Sequence, residues 1–396
     1  DGLRLDDVLA EAAAPRLAIG RHDAPGADTV FGELARATPG EPETAASADD
    51  DAVILFTSGT SAKPKGVVLN FREFLSNIDP VAASFGISAE DRLYDFRPFS
   101  WASAQLLGAL APVNRGATLV LAEKFSASRF FGHLRDHGVT VATGNPTTLN
   151  ILLNTETERG ELPKLRFITS SSAPLLLDEW KRFEQKFGIR VAQGYGASEA
   201  SWIAAISGEE RRLGTVGRPF AYHDFAIVDG DGRRLPAGEI GYVEIGGWPD
   251  HPFRYLAEDG AIRVHARGRI RTGDIGCLDG DGFLMLTGRE KELIIRGGAK
   301  ISPLEIDACL MQCAEVTEAA TVGVPDAIYG EEVVSYVVGR PGAMLDPAAL
   351  LRHCSDALPA FKTPKQILLA SALPKTERGK LDRKALVEKW RTRSPN

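Results

Sequence analysis

Residues 53–67, Val53-Ile54-Leu55-Phe56-Thr57-Ser58-Gly59-Thr60-Ser61-Ala62-Lys63-Pro64-Lys65-Gly66-Val67, decide how this chain is read. Four apolar residues in a row predict a buried strand, and the hydroxyls, glycines and lysines that follow crowd into one tight loop. Such a loop offers backbone N–H groups, hydroxyl donors and ammonium charge to a single anion, which is the chemistry of a triphosphate cradle. It is not a Walker A loop, because after Gly59 the positions that should hold Gly and Lys-Ser/Thr hold Pro64 and Lys65-Gly66. A plain Ser/Thr/Gly turn is the alternative, and the preceding strand with its paired lysines fits a phosphate loop better.

Downstream of the loop, short apolar strands alternate with helical patterns. Ala117 to Leu121 reads as a strand, Ser128 to His137 as a helix, Val139 to Ala142 as a strand and Thr147 to Leu153 as a helix. This alternation predicts an α/β domain with helices packed on a largely parallel sheet. After about residue 215 the texture changes to Gly-rich hairpins, including Asp229-Gly230-Asp231-Gly232 and Asp279-Gly280-Asp281-Gly282, and predicts a mainly β subdomain. Neither DGDG segment continues as an EF-hand loop with a closing glutamate, so both read as turns and not calcium sites. Residues 38–51 are polar, acidic and alanine-rich, an expected exposed linker ahead of the loop strand.

The chain has 396 residues, 44% hydrophobic and 25% charged, with a formal charge of -7. That length allows two or three domains, and the acidic balance gives no general reason to expect nucleic acid or an anionic membrane as partner. Any polyanion must be met by local basic residues. The four cysteines, Cys277, Cys309, Cys313 and Cys354, form no CxxC pair and no zinc-spaced cluster. Cys309 and Cys313, four apart on a predicted helix, are expected to share a buried face. The start, Asp1-Gly2-Leu3-Arg4, lacks the form of a leader, and no apolar run reaches membrane-spanning length, so a cytoplasmic protein without a membrane span is expected.

Further polar clusters recur along the chain. Gln193-Gly194-Tyr195-Gly196-Ala197-Ser198-Glu199 sets an aromatic, two glycines, a hydroxyl and a carboxylate at a predicted strand end, where a base could stack and a metal could be held. Arg271-Thr272-Gly273-Asp274 ends on an acidic residue, and Gly288-Arg289-Glu290-Lys291-Glu292 follows an apolar strand. Arg296-Gly297-Gly298-Ala299-Lys300-Ile301-Ser302-Pro303 combines backbone freedom with basic charge before a helix that Ser302-Pro303 can start. Pro374-Lys375-Thr376-Glu377-Arg378-Gly379-Lys380-Leu381-Asp382-Arg383 is the last cluster. Taken one at a time, each is also readable as a Gly turn or an exposed charged loop.

In their order and spacing these segments resemble the signatures of the adenylate-forming superfamily, which comprises acyl-CoA synthetases, adenylation domains and firefly-type luciferases. The resemblance covers residues 53–383. It implies an α/β adenylate-forming fold: a large ATP- and acyl-binding domain over 1–288, a hinge at 289–291, and a small mobile α+β domain over 292–396. By the same resemblance, Thr57, Ser58, Gly59, Thr60, Ser61 and Lys65 would hold the ATP phosphates, and Ser172, Ala173 and Pro174 the adenine edge. Gln193, Gly194, Tyr195, Gly196 and Ser198 would line the nucleotide, with Tyr195 against adenine, and Glu199 would be the Mg²⁺ carboxylate. Asp274 would accept the ribose hydroxyls beside Arg289, with Lys291 as the pivot. Gly297, Gly298 and Lys300 would meet the pantetheine arm of coenzyme A, and Lys380 would reach the carboxylate and α-phosphate. Catalysis is thereby assigned to Lys380, Lys65 and Glu199, with ATP, Mg²⁺, coenzyme A and a small carboxylic acid as the molecules handled.

Three departures qualify the match. Only 56 residues precede Thr57, whereas family members carry a whole further subdomain there. Ala62 stands where glycine is common. In the acyl pocket, Ser100 beside Phe99 stands where the family has His, or the amino-binding Asp of amino-acid adenylation domains. With no carboxylate at that position a free α-amino acid is disfavoured, and the adjacent Trp101 suggests an apolar or aryl acid. The expected reaction is acid-thiol ligation through an acyl-adenylate. An adenylation module loading a carrier protein, and a truncated non-catalytic nucleotide-binding homologue, remain the alternatives.

Overall fold

The computed structural model describes residues 46–57, 65–206, 210–246, 252–265, 268–376 and 380–393. Its centre is a seven-stranded sheet in the order Thr118–Leu121, Arg92–Asp95, Val141–Ala142, Phe167–Ser170, Val191–Ala197, Ser201–Ala205, Arg218–Pro219. The first five strands run parallel and the last two are antiparallel additions. Neighbouring residues on these strands feed opposite cores, as a two-residue side-chain period requires. Tyr94 and Ala142 pack with Phe130, Leu149, Trp180 and Phe183 on one face, while Leu93 and Val141 pack with Val81, Leu106 and Leu107 on the other. Helices therefore cover both faces, the arrangement that a buried parallel sheet needs. The predicted helices appear as Ala127–Asp136 and Pro146–Asn154, the second capped by the Asn145 side chain and opened by Pro146.

The loop strand departs from its expected burial. Asp51–Thr57 belongs to a separate antiparallel sheet, with Lys65–Asn70, Arg254–Leu256 and Ile262–Val264 following in order, and it forms that sheet's edge. Leu55 is buried in the core shared with the parallel sheet, but Ile54 and Phe56 are 42% and 54% exposed. A continuous apolar run suggests burial on both faces, whereas an edge strand of a half-covered sheet buries only alternate residues.

A third, antiparallel sheet joins Phe225–Val228, Gly241–Gly246, Arg269–Leu278 and Leu284–Arg289. Both DGDG segments are its turns: Asp229 Oδ1 accepts from the N–H groups of Asp231 and Arg233, and Asp279 Oδ1 from those of Asp281 and Phe283. The smaller C-terminal domain follows, with Ala299–Ile301, Ile294–Arg296, Gly330–Gly339 and Val316–Asp326 in one sheet and Gln366–Leu369 added in parallel. Gly297 and Gly298, at φ 55° and 86°, turn its first hairpin in the left-handed conformation that a two-residue turn demands. The helix Pro303–Met311 starts after Ser302 as the sequence predicts, yet it stops before Cys313. Cys309 and Cys313 therefore do not share a helix face; Cys309 is buried in the domain core with Cys354, and Cys313 packs at its margin.

Candidate active site

In a parallel sheet every strand delivers its following loop to the same edge, and that carboxyl edge is where α/β sheets bind ligands. Here Arg92–Asp95 leads to Ser100 and Trp101, Phe167–Ser170 to Ser171 and Ser172, and Val191–Ala197 to Ser198 and Glu199. A cavity of about 140 Å³ lies at this edge, walled by Ser100, Trp101, Ser172, Gly196, Ser198 and Lys380, among others. A larger groove of about 430 Å³ is lined by Arg92, which begins a strand, and by His137, Val139 and Lys164, which precede strands, so it lies at the amino edge. It contains none of the motif residues. Ser172 and Ser201 have φ of 74° and 55°, are the two non-glycine residues with positive φ among the described residues, and both line the smaller cavity. Backbone strain of this kind, about 1–3 kcal/mol per residue, concentrates at functional sites.

The wall carrying Ser100 and Trp101 is pinned by a buried ion pair. Arg97 Nη2 donates to Asp95 Oδ2 at 2.8 Å and to the Ser103 carbonyl at 3.3 Å, so the loop is tied back to the strand end. Lys380 arrives from the other end of the chain. The closing motif folds back through a bridge between Lys375 and Leu381, and the Thr376 N–H donates to the Lys380 carbonyl at 2.7 Å.

A charged cluster sits beside the cavity. Thr57 and Lys65 are paired in register at the ends of the loop hairpin. Lys65 and Arg289 favour the ionised form of Glu199, but burial outweighs them and raises the carboxyl pKa. Tyr255 is hydrogen-bonded to Glu199 and its own pKa is raised, by burial first and then by that carboxylate. Lys65 Nζ lies 6.0 Å from the Tyr255 ring centroid. Asp274 faces Arg289 across the hairpin and accepts from its Nε at 2.8 Å through Oδ1, while Oδ2 accepts from the Tyr195 hydroxyl at 2.6 Å. Burial and the Asp274 charge hold Tyr195 protonated well above its ordinary range. Burial works against the charge of Arg289, yet Asp274 and Glu292 outweigh it and raise its pKa.

Of the expected site residues, Ser58, Gly59, Thr60 and Ser61 lie outside the described residues, as do 377–379 of the closing motif. Ala173 and Pro174 continue the Ser172 loop, Gln193 and Gly194 are buried within the strand, and Lys291 is exposed on a short 3₁₀ turn, Glu290–Glu292. Gly297, Gly298 and Lys300 are not part of the cavity wall; the Lys300 ammonium instead donates to the Tyr242 hydroxyl at 3.1 Å. Trp101 is part of the cavity wall, which mixes the apolar side chains of Leu55, Phe56, Trp101, Ala102, Ala197 and Trp202 with six serines.

Sequence reasoning missed two residues. Tyr255 lies on a strand whose pairing with Lys65–Asn70 spans the chain, and no local pattern marks it. Arg383, quoted as the last residue of the closing motif, is a buried anchor: it donates to Asp307 Oδ2 at 2.6 Å, to Glu292 Oε2 at 3.1 Å and to the Thr321 carbonyl at 2.6 Å. It thereby ties the Lys380 segment to the turn containing Lys291.

The model of the AMP-binding enzyme family matches residues 4–248, and that of the AMP-binding enzyme C-terminal domain matches residues 305–380. The chain belongs to the AMP-binding enzyme family. Similar proteins include the sulfoacetate–CoA ligase of Cupriavidus necator, 37% identical over 86% of this chain and 67% of that protein. The oxalate–CoA ligase of Arabidopsis thaliana is 36% identical over 86% of this chain and 68% of its own length. The crystal structure of ATP-bound MatB from Rhodopseudomonas palustris superposes with a TM-score of 0.79 at 29% identity, covering 87% of this chain and 69% of that one. This chain thus spans about two thirds of the length of these relatives. Within the family it is an acid-thiol ligase: a carboxylic acid is activated with ATP to an acyl-adenylate and passed to coenzyme A. Among the described residues no helix is long and apolar enough to cross a membrane.

Proposed function

We propose that this reaction runs in the cavity at the carboxyl edge of the parallel sheet, with Lys380 driving the adenylation step. The observation that carries the reading is the convergence of the closing hairpin on the same wall as Ser172, Gly196 and Ser198. A carboxylate is a poor electrophile, so one of its oxygens attacks the α-phosphorus of ATP, the bond to the bridging oxygen breaks, and pyrophosphate departs. Lys65 and Lys380 supply fixed positive charge where negative charge gathers in that transition state. The phosphates rest on the 57–67 loop, and Ser172, Ala173, Pro174 and Tyr195 bound the adenine. Each oxygen of Asp274 retains accepting capacity beyond its protein contacts, enough for the ribose hydroxyls.

Magnesium fits the donor set. Glu199 offers hard carboxylate oxygen, and no group of three or more His, Cys, Asp or Glu able to hold a metal occurs among the described residues. An ion here would be shared between Glu199 and the phosphate oxygens, as suits a cation that binds through one or two carboxylates and substrate phosphates, and it would neutralise phosphate charge.

In the second step the thiolate sulfur of coenzyme A attacks the acyl carbon, AMP leaves, and the thiol proton passes to solvent. Residues 289–291 serve as the hinge between domains over 1–288 and 292–396. Rotation about Lys291 withdraws Lys380 and brings Gly297, Gly298 and Lys300 to the thiol. Relatives named for sulfoacetate and oxalate favour short acids as the first to test, and turnover with free coenzyme A separates this reading from a carrier-protein acceptor. Lys380→Ala should lower acyl-adenylate formation at least about 10²-fold, the scale of losing one charge-stabilising group. Thioester formation from synthetic acyl-AMP should persist. Equal loss in both half-reactions would show that Lys380 has another role.

A further inference from the structure

One set of contacts between the large and small domains lies beside the hinge, where the Lys300 ammonium donates to the Tyr242 hydroxyl and the Ser302 hydroxyl to the Thr287 carbonyl. A second set involves two helices of the large domain, Pro146–Asn154 and Leu177–Phe187. Asn150 Nδ2 donates to Glu179 Oε1 at 2.6 Å within the large domain and to the Thr317 carbonyl at 3.2 Å in the small one. The amide is held in that orientation, since its Oδ1 accepts from Asn154 Nδ2 at 3.2 Å. Leu176, which follows the Ser172 loop of the cavity and precedes the second helix, packs against the core of the small domain.

This second contact is connected to Lys380. Thr317 and Glu318 are neighbours on the strand Val316–Asp326. Glu318 Oε2 accepts from Lys375 Nζ at 2.9 Å, and Lys375 stands at the base of the closing hairpin, bridged to Leu381. Lys380, the residue before Leu381, lines the cavity. A continuous run of bonds therefore leads from Asn150 through Thr317, Glu318 and Lys375 to the hairpin that carries Lys380. The boundary also contains repulsion. Burial raises the Glu179 pKa and Glu318, across the boundary, adds to the rise; burial lowers that of Arg182, and Arg340 adds to the fall. Like charges that meet across an interface limit its strength, which suits a contact that opens in every turnover.

We infer that Asn150 is a positioning residue: its bridge between Glu179 and Thr317 latches the two domains in the arrangement that places Lys380 for adenylation, and opens before coenzyme A reacts. The inference rests on the two-step reading above and adds to it the residues that hold the first arrangement. Asn150 is not part of the cavity wall, so its loss acts on adenylation through Lys380 and leaves the large domain's own contacts with the nucleotide in place. A looser latch does not hinder the second step, because it favours the rotation that the step requires.

The test separates the half-reactions. Of acetate, butyrate, benzoate, oxalate and sulfoacetate, the acid that releases pyrophosphate fastest serves as substrate, and its synthetic acyl-AMP serves for the thioester step. Asn150→Ala and, independently, Lys375→Met should each slow single-turnover acyl-adenylate formation by about tenfold, the upper scale of one net hydrogen bond. Thioester formation from acyl-AMP should stay at or above the parent's rate. In a Lys380→Ala background, Asn150→Ala should slow adenylation no further, since a residue that acts through Lys380 has nothing left to position. A merely structural role would lower both half-reactions together and add its loss to that of Lys380→Ala. Should one variant fail to fold, the other still decides. Either of those structural results, or adenylation at the parent's rate in a folded variant, overturns the inference; the two-step reading then stands if Lys380→Ala alone slows adenylation only. Equal loss of both half-reactions in Lys380→Ala, or pyrophosphate release with none of the acids, overturns both.

Discussion

Glu179 offers a stability prediction whose size follows from its surroundings. Its side chain is buried between the large and small domains, 9% exposed, and Oε1 accepts from Asn150 Nδ2 at 2.6 Å; the same amide group reaches the Thr317 carbonyl at 3.2 Å in the small domain. Burial raises its pKa from 4.5 to about 7, against the pull of Asn150 and Arg182 and with a further push from Glu318. A carboxyl whose pKa is higher in the folded state binds its proton more tightly there, so its contribution is whole below about pH 4.5 and is lost as pH rises through about 7. At about 1.4 kcal/mol per pKa unit, the rise of about 2.5 corresponds to about 3 kcal/mol. Glu179→Gln keeps an oxygen to accept from Asn150 and never ionises. Urea unfolding of parent and variant, followed at several pH values, should therefore show the variant gaining on the parent between pH 5 and pH 8, by up to about 3 kcal/mol. Curves that stay parallel over that interval would refute the claim that an ionisable, desolvated carboxyl sits at this interface.

Two more outcomes are expected. Glu199→Gln should shift the Mg²⁺ concentration needed for adenylation upward while AMP binding stays near that of the parent, and Tyr255→Phe should do the same more mildly by releasing the hydrogen bond on Glu199; superimposable Mg²⁺ titrations would remove Glu199 from the metal site. Arg383→Met should destabilise the fold by about 3–5 kcal/mol in denaturant titrations, because it strands Asp307, 3% exposed, without its counter-charge.

The large-scale outline was legible because it is written in local patterns. Alternating apolar segments gave the parallel sheet with helices on both faces, the DGDG turns and the Ser302-Pro303 helix start appear where their chemistry requires, and the ordered motifs carried the family. The exposure of Ile54 and Phe56 was hidden, since a run of apolar residues looks the same on an edge strand as in a core. The early stop of the helix before Cys313 was likewise invisible to spacing alone.

What the sequence by itself determined, then, is the family and the reaction class, because loop composition and strand or helix period act over a few residues. The tertiary structure alone decided which of the motif segments meet. Lys380 reaches the Ser172 and Ser198 wall, Tyr255 is delivered to Glu199 by pairing of strands far apart in the chain, and Arg383 is claimed by Asp307 and Glu292 rather than by a ligand. Each depends on contacts between residues widely separated in sequence, fixed by packing of whole sheets and helices, and no short window of residues contains that information.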